Sequence, residues 1–220
     1  GKSLTSRLGS MTAQALRGGS SMSPDKDVIH QFLSLLTEPW KECSPKGQLD
    51  LRFLANGKSA STAQFSDDQL MDATDHIVQL NINKLNAYVC INPVAEKPLK
   101  AGEGAKDEDI LRAHFAFADC DEPGSAERLK SSALPHDFSV VTGTRPHLRC
   151  HYYWQFDQPL QNLAKWSVIQ AGFAKAYGSD SCVKNPSRIM RIAGTVSYPS
   201  PGKKAKGYEI ERTELRIGTV

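Results

Sequence analysis

Residues 115–124 read FAFADCDEPG, an apolar run that ends in two carboxylates with a single residue between them. Side chains alternate across a strand, so Asp119 and Asp121 share a face with Phe115 and Phe117, while Ala118 and Cys120 point the other way. The two acids therefore aim at a common point, and hard oxygen donors in such a pair suit magnesium or manganese. A strand end running into a turn is the competing reading, since Asp, Pro and Gly are ordinary turn residues. The run does not alternate cleanly between apolar and polar. That predicts a central strand covered on both sides, with Ala116 and Ala118 admitting a closely packed helix. An exposed aromatic platform for stacking bases is the rival reading, and the depth of Phe115 and Phe117 in the apolar run favours core.

Working outward, the periodicity predicts a helix over 25–36, with Ile29, Phe32, Leu33 and Leu36 on one face and Ser23 as its cap. A strand over 49–54, a helix from Phe65 to Leu80 started by Ser66, and a buried strand over 88–91 follow. Residues 93–106 read as a loop and 107–111 as a helical turn. Beyond the Asp-x-Asp strand come a helix over 125–132, strands over 138–142 and 150–156, and a helix over 163–177. In that last helix Trp166, Ile169 and Phe173 read as core, and Gln170 does not. Strands near 189–192 and 208–216 complete the chain. Alternating strands and helices place the fold in the mixed α+β (α/β) class.

The 220 residues suffice for a core of their own. The five cysteines, Cys43, Cys90, Cys120, Cys150 and Cys182, form no Cys-x-x-Cys pair and are odd in number. This argues for reduced thiols in a cytoplasmic compartment and against a zinc cluster. No apolar run approaches the ~20 residues of a membrane span. Residues 1–24 carry Lys2, Arg7 and Arg17, no acid, and many Ser and Gly; they read as a disordered leader or an expression-vector remnant. The net charge of +3 is unevenly spread: residues 141–206 hold ten Lys or Arg against Asp157 and Asp180, leaving them at +8 and the remainder at −5. Cations clustered in this way suit a phosphate backbone, and a solvated basic face is the alternative.

Two further motifs follow the Asp-x-Asp strand: TGTRPHLRCHYYWQF at 142–156 and SDSCVKNPSRIMRIAGTVSYP at 179–199. The ordered trio resembles the archaeo-eukaryotic primase superfamily, in particular the primase-polymerase domains of phage and plasmid replication proteins, over roughly residues 50–215. The resemblance implies a small N-terminal α/β module (25–106) packed on a catalytic module similar to an RNA-recognition-type fold (107–220). It implies metal-dependent, template-directed nucleotide addition on single-stranded DNA, with primer and nucleoside triphosphates as further partners. Two magnesium or manganese ions would be held by Asp119, Asp121 and, as the third carboxylate, Asp180. Gly178, Ser179 and Asp180 also read as the loop ending a helix. The resemblance also implies that His151 contacts the incoming nucleotide's phosphates, a job that suits a protonated or donor imidazole.

Arg149 shares the face of His151 if the strand extends that far. Guanidinium forks bind phosphate bidentately, so Arg149 and Arg191 are assigned to the triphosphate and Arg188 to nucleotide or template. One departure stands out. Where many relatives place an Asn two residues after the Gly-Thr pair and a Lys soon after, this chain has Ser197, and Lys203, Lys204 and Lys206 come later. The long second motif and this departure suggest a divergent mobile-element branch, bacterial or encoded by a phage or plasmid. The chain stops just after a predicted strand, so an excised domain is expected, with a helicase domain or subunit as the partner the family implies.

Two rival functions stay open at this point. A rolling-circle or relaxase nuclease would use His147, His151 and a tyrosine such as Tyr152 or Tyr153, although that chemistry wants two histidines on one strand face with one residue between them. A non-catalytic single-strand binding module would use the basic face alone, but paired acids repel a phosphate backbone unless metal intervenes.

Overall fold

A computed structural model describes residues 22–98, 102–132 and 135–218. Most of the expected leader lies outside the described residues. The chain begins with α1 (Lys26–Thr37), capped by Asp25 rather than Ser23: the Asp25 carboxylate accepts from the Val28 N–H at 3.2 Å. Asp25 is the better placed acid because its charge also faces the positive end of the helix.

Strands β1 (Gln48–Ala55) and β2 (Lys58–Ser66) form a hairpin through Asn56 and Gly57, whose φ angles of 50° and 80° suit a two-residue turn. α2 (Leu70–Ile82) and β3 (Asn86–Cys90) follow. The helix expected from Phe65 is therefore corrected. Phe65 and Ser66 close a strand, and the Ser66 hydroxyl binds Gln69 and Asp68 ahead of the helix.

The chain continues through β4 (Ala113–Cys120), α3 (Ser125–Ser131), β5 (Phe138–Gly143), β6 (Arg149–Leu160), α4 (Leu163–Tyr177) and β7 (Ile189–Arg191). It closes with β8 (Val196–Ser197), α5 (Pro201–Lys204), β9 (Glu211–Arg212) and β10 (Glu214–Ile217). The final strand expected over 208–216 is thus two short strands, with Tyr208 outside both.

Two four-stranded antiparallel sheets result, in the orders β2-β1-β3-β7 and β10-β5-β6-β4, with β8 and β9 as a small ribbon. From β4 to β7 the elements run β-α-β-β-α-β, the order of split βαβ folds. β7, however, leaves the second sheet and pairs with β3 in the first, setting Arg191 beside Tyr88. A single core joins the sheets: Leu51, Phe53 and Val89 pack with Phe115, Phe117, Phe138 and Tyr153 around Phe32 of α1. Gly194, at φ 80°, lets the turn after β7 pass beneath α1. A Cβ there would lie 2.8 Å from the Asp25 carbonyl oxygen.

β4 is an edge strand, not the central strand expected. Its burial comes from α3 and α4, which cover Ala116 and Ala118 through Ala126, Leu129 and Phe173. Its free edge is closed by side chains. Trp166 Nε1 donates to the Phe115 carbonyl at 2.8 Å, and Gln170 both accepts from the Phe117 N–H at 3.3 Å and donates to its carbonyl. Gln170 is therefore buried while Ile169 and Phe173 are half-buried, reversing the expectation for that helix. Phe115 and Phe117 are fully buried, as the core reading required. Among the described residues, no helix is long and apolar enough to cross a membrane.

Candidate active site

The apolar face of β4 runs straight into the acids. After Phe115 and Phe117, Asp119 is the last residue on that face still within the ladder, directly opposite His151 of β6. Asp121 follows one step beyond the strand. Both line a pocket of about 270 Å³ whose other walls include Arg149, His151, Arg191, Asn86, Tyr88 and Lys203. Five of the seven residues singled out in the sequence therefore meet in one pocket. Asp180 and Arg188 are not among its walls, but the backbone N–H of Asp180 donates to the Asp119 carbonyl at 2.9 Å. The Asp180 carboxylate accepts from the Cys182 N–H at 2.8 Å and lies 3.5 Å from Arg188.

Burial dominates the electrostatics. The Asp119 carboxyl is pushed up to about 7, first by desolvation and then by the charges of Asp121 and Asp180, against the pull of Arg188 and Lys203. His151 is pushed down to about 3 by desolvation, with Arg191 and Arg188 adding to it. Its Nε2 lies 3.5 Å from Asp119 Oδ1, a contact of a neutral imidazole and not an ion pair. Of the protonated and donor forms expected of this imidazole, burial favours the neutral ring.

The arginines differ in what holds them. Arg191 donates to Asn86 Oδ1 at 2.8 Å and to the Tyr88 hydroxyl at 2.6 Å, its guanidinium carbon 4.7 Å from the Tyr88 ring centroid. Asn86 also accepts from the Tyr198 N–H at 2.8 Å, so one side chain fixes both Arg191 and the loop after β8. The side chain of Arg149 is 5% exposed and sits between Glu211, the Arg145 carbonyl, Asp121 and the ring of Tyr208. Lys203 returns to the pocket through α5, with Nζ 4.0 Å from Asp121 Oδ2 and its side chain 53% exposed.

Sequence reasoning missed Asn86, Tyr88, Tyr208 and Glu211, and it named Lys203 only as one of three lysines lying later than the family pattern places one. The alternation in NAYVC, which puts Asn86 and Tyr88 opposite Ala87 and Val89, was a usable signal for the first two. Glu211 had none.

The geometry is unfavourable for the nuclease chemistry. His147 Nε2 contacts the Asp121 carbonyl oxygen at 2.7 Å and its ring meets Tyr208, whereas His151 faces Asp119 and Tyr153. Tyr153 is fully buried, and the Tyr152 hydroxyl donates to the Ala126 carbonyl at 3.0 Å, so neither presents a nucleophile.

No family model and no curated protein matches the sequence. Solved structures do. The AEP domain of the cyanophage S-2L primase-polymerase is 19% identical, covers 88% of this chain and 90% of its own, and gives a TM-score of 0.59. The chain has the archaeo-eukaryotic primase fold. Primase RepB' is similar over 86% of this chain and 56% of its own, at 12% identity and a TM-score of 0.55. Its catalytic domain, solved in complex with initiator DNA, covers 84% of both chains at 14% identity and a TM-score of 0.50. The primase fold thus accounts for the mixed α/β architecture.

The acid pair suits a divalent cation. The donors are hard oxygens, and the charges of Asp121 and Asp180, which add to the desolvation that raises Asp119, are the kind of charge accumulation a cation relieves. Among the described residues, no three His, Cys, Asp or Glu side chains already converge as a cage.

Proposed function

We propose that this chain is a primase-polymerase domain that adds nucleotides to a primer, or makes the primer, on a single-stranded DNA template. The observation that carries the reading is the pocket in which Asp119 and Asp121 face Arg191, His151 and Lys203, set in a primase fold. Asp119 and Asp121 are the residues that would hold magnesium or manganese, with Asp180 as the third carboxylate acting from beside them. When bound, such a pair of ions activates the primer hydroxyl and stabilises the leaving oxygens in line.

The chain's own residues then divide the remaining work. Arg191 enters pre-oriented by Asn86 and Tyr88 and keeps its charge at any working pH, as a triphosphate ligand must. Lys203, more than half exposed across from Asp121, is a second phosphate cation and takes the place of the lysine missing soon after Ser197. Arg188, 31% exposed, is left for nucleotide or template. His151 offers a neutral imidazole whose orientation is fixed by its burial. Arg149 belongs to the same phosphate-facing wall. The structural neighbour bound to initiator DNA supports DNA as the template here, and the +8 segment supplies the electrostatic surface.

Gel-resolved primer synthesis and extension on single-stranded DNA tests this, with ribo- and deoxynucleotides and with magnesium and manganese. Product from the wild type that vanishes in the Asp119→Ala, Asp121→Ala double variant is the expected result. Equal product from both proteins would sink the reading. Binding of single-stranded DNA with no product in any condition would favour the non-catalytic module.

A further inference from the structure

Glu211 lies outside all three motifs, yet its carboxylate gathers four donors. It accepts from the Thr144 N–H at 2.7 Å, the Thr144 hydroxyl at 2.6 Å, the Arg145 N–H at 3.4 Å and Arg149 Nη2 at 3.1 Å. β9 delivers it there by pairing Glu211 with Ser197 at the pocket rim. The slot through which the two side chains meet exists because residue 143 is glycine, at an irregularity in the β5–β6 register. A Cβ there would lie 1.7 Å from Arg149 Nη2 and 2.5 Å from Glu211 Oε2. On its other side the same guanidinium presents Nε to Asp121 Oδ1 at 3.6 Å, and Tyr208 covers its face at 4.3 Å.

We infer that Glu211 is a positioning residue for the metal site: it neutralises and anchors Arg149, so that Asp121 is oriented by the guanidinium without being captured by it. The inference rests on the metal-dependent reading of the acid pair. Its physical content is competition for one cation. With Glu211 in place, the charge of Arg149 is shared, and the contact to Asp121 stays longer than a hydrogen bond. Without the Glu211 charge, Nη2 is freed, and the nearest remaining carboxylate is Asp121. A close, two-point guanidinium–carboxylate pair there would occupy the oxygens that a divalent ion needs.

Calorimetric titration of the described protein with Mn²⁺ alone tests this without relying on turnover. Glu211→Gln is expected to weaken Mn²⁺ binding by about tenfold or more, the scale seen when groups that orient metal ligands are removed. Gly143→Ala keeps every charge but pushes the guanidinium off Glu211, so it is expected to weaken binding in the same direction. It also serves if Glu211→Gln folds poorly. Arg149→Met added to Glu211→Gln removes the competing cation and is expected to restore affinity toward wild type, a rescue that mere loop damage cannot give. Thr144→Val, which leaves the Arg149–Glu211 pair intact, is expected to bind Mn²⁺ as wild type does.

Wild-type affinity in folded Glu211→Gln overturns the inference alone. So does an equal loss in Thr144→Val, or a failure of Arg149→Met to rescue. Absence of Mn²⁺ binding in the wild type itself overturns both this inference and the metal reading beneath it.

Discussion

The two faces of the β4–β6 ladder begin alike and end differently. On one face Phe115, Phe117 and Tyr153 are fully buried, and the next residues along, Asp119 and His151, open onto the pocket. On the other, Ala116, Ala118, Tyr152 and Trp154 lead to Cys120 opposite Cys150, with α3 and α4 packed over them. The same desolvation acts on both. It lifts Asp119 to about 7 and drops His151 to about 3 on the first face, and it lifts Cys120 to about 12 and Cys150 to about 11 on the second. Thiols at those values stay protonated and inert. The comparison teaches that the site owes its perturbed acid to the core that abuts it: no polar layer separates Phe117 from Asp119.

The bluntest way to break the comparison is to hollow the first face. Phe117→Ala removes a fully buried ring that packs against Tyr153 and Trp166, and is expected to cost about 3–5 kcal/mol in urea unfolding. It should also let water reach Asp119 and move its titration back toward the ordinary carboxyl range, read by NMR. A titration left near 7 would mean that Asp121 and Asp180, and not the core, hold it there.

A sharper test leaves the packing alone. Asp119 has a folded-state value raised from 3.8 to about 7, so the native chain binds more protons than the unfolded chain between those values. Stability contributed by this group is full below about pH 4 and is lost as pH rises through 7. Asp119→Asn abolishes that dependence. In metal-free buffer at pH 8 the variant is expected to be more stable than wild type by about 2 kcal/mol. That is about half of what the full displacement converts to, because the side chain keeps 21% of its exposure. The gap should close toward pH 4. A variant less stable than wild type at pH 8 would show that Asp119 is paid back by contacts the desolvation argument leaves out.

What the sequence disclosed follows the same line. The Asp-x-Asp strand, the span of α4 and the face carrying Asp119 and His151 were legible because strand alternation and helical spacing are local and strong. β2 was not, because KSASTAQFS is an edge strand with polar residues on both faces and so shows no period to detect. Lys203, Tyr208 and Glu211 come from the segment after β8, where a short helix and two-residue strands bring distant residues to the pocket without any repeating pattern. Their role depends on which loop meets which, and that is decided by tertiary packing. Gly143 and Gly194 lay inside quoted motifs, yet the reason each is glycine, the meeting of Arg149 with Glu211 in one case and a helix start in the other, involves a residue from another part of the chain.

Gln170 is the residue where pattern and structure disagree most directly, and it gives the finest test. On helical spacing alone an apolar residue belongs there, and Gln170→Leu should then stabilise the chain. In the structure its amide closes the free edge of β4 by serving the N–H and carbonyl of Phe117, two groups with no strand beside them. Leucine would leave both buried and unpaired, a cost of about 1–3 kcal/mol for such a group, part of which its added apolar area offsets. The expected net loss is about 1–2 kcal/mol, together with faster hydrogen exchange at the Phe117 amide and little change at Phe138 in the ladder interior. Equal stability with unchanged exchange would mean the edge of β4 needs no such cap, and that the helical face of the ladder is held by packing alone.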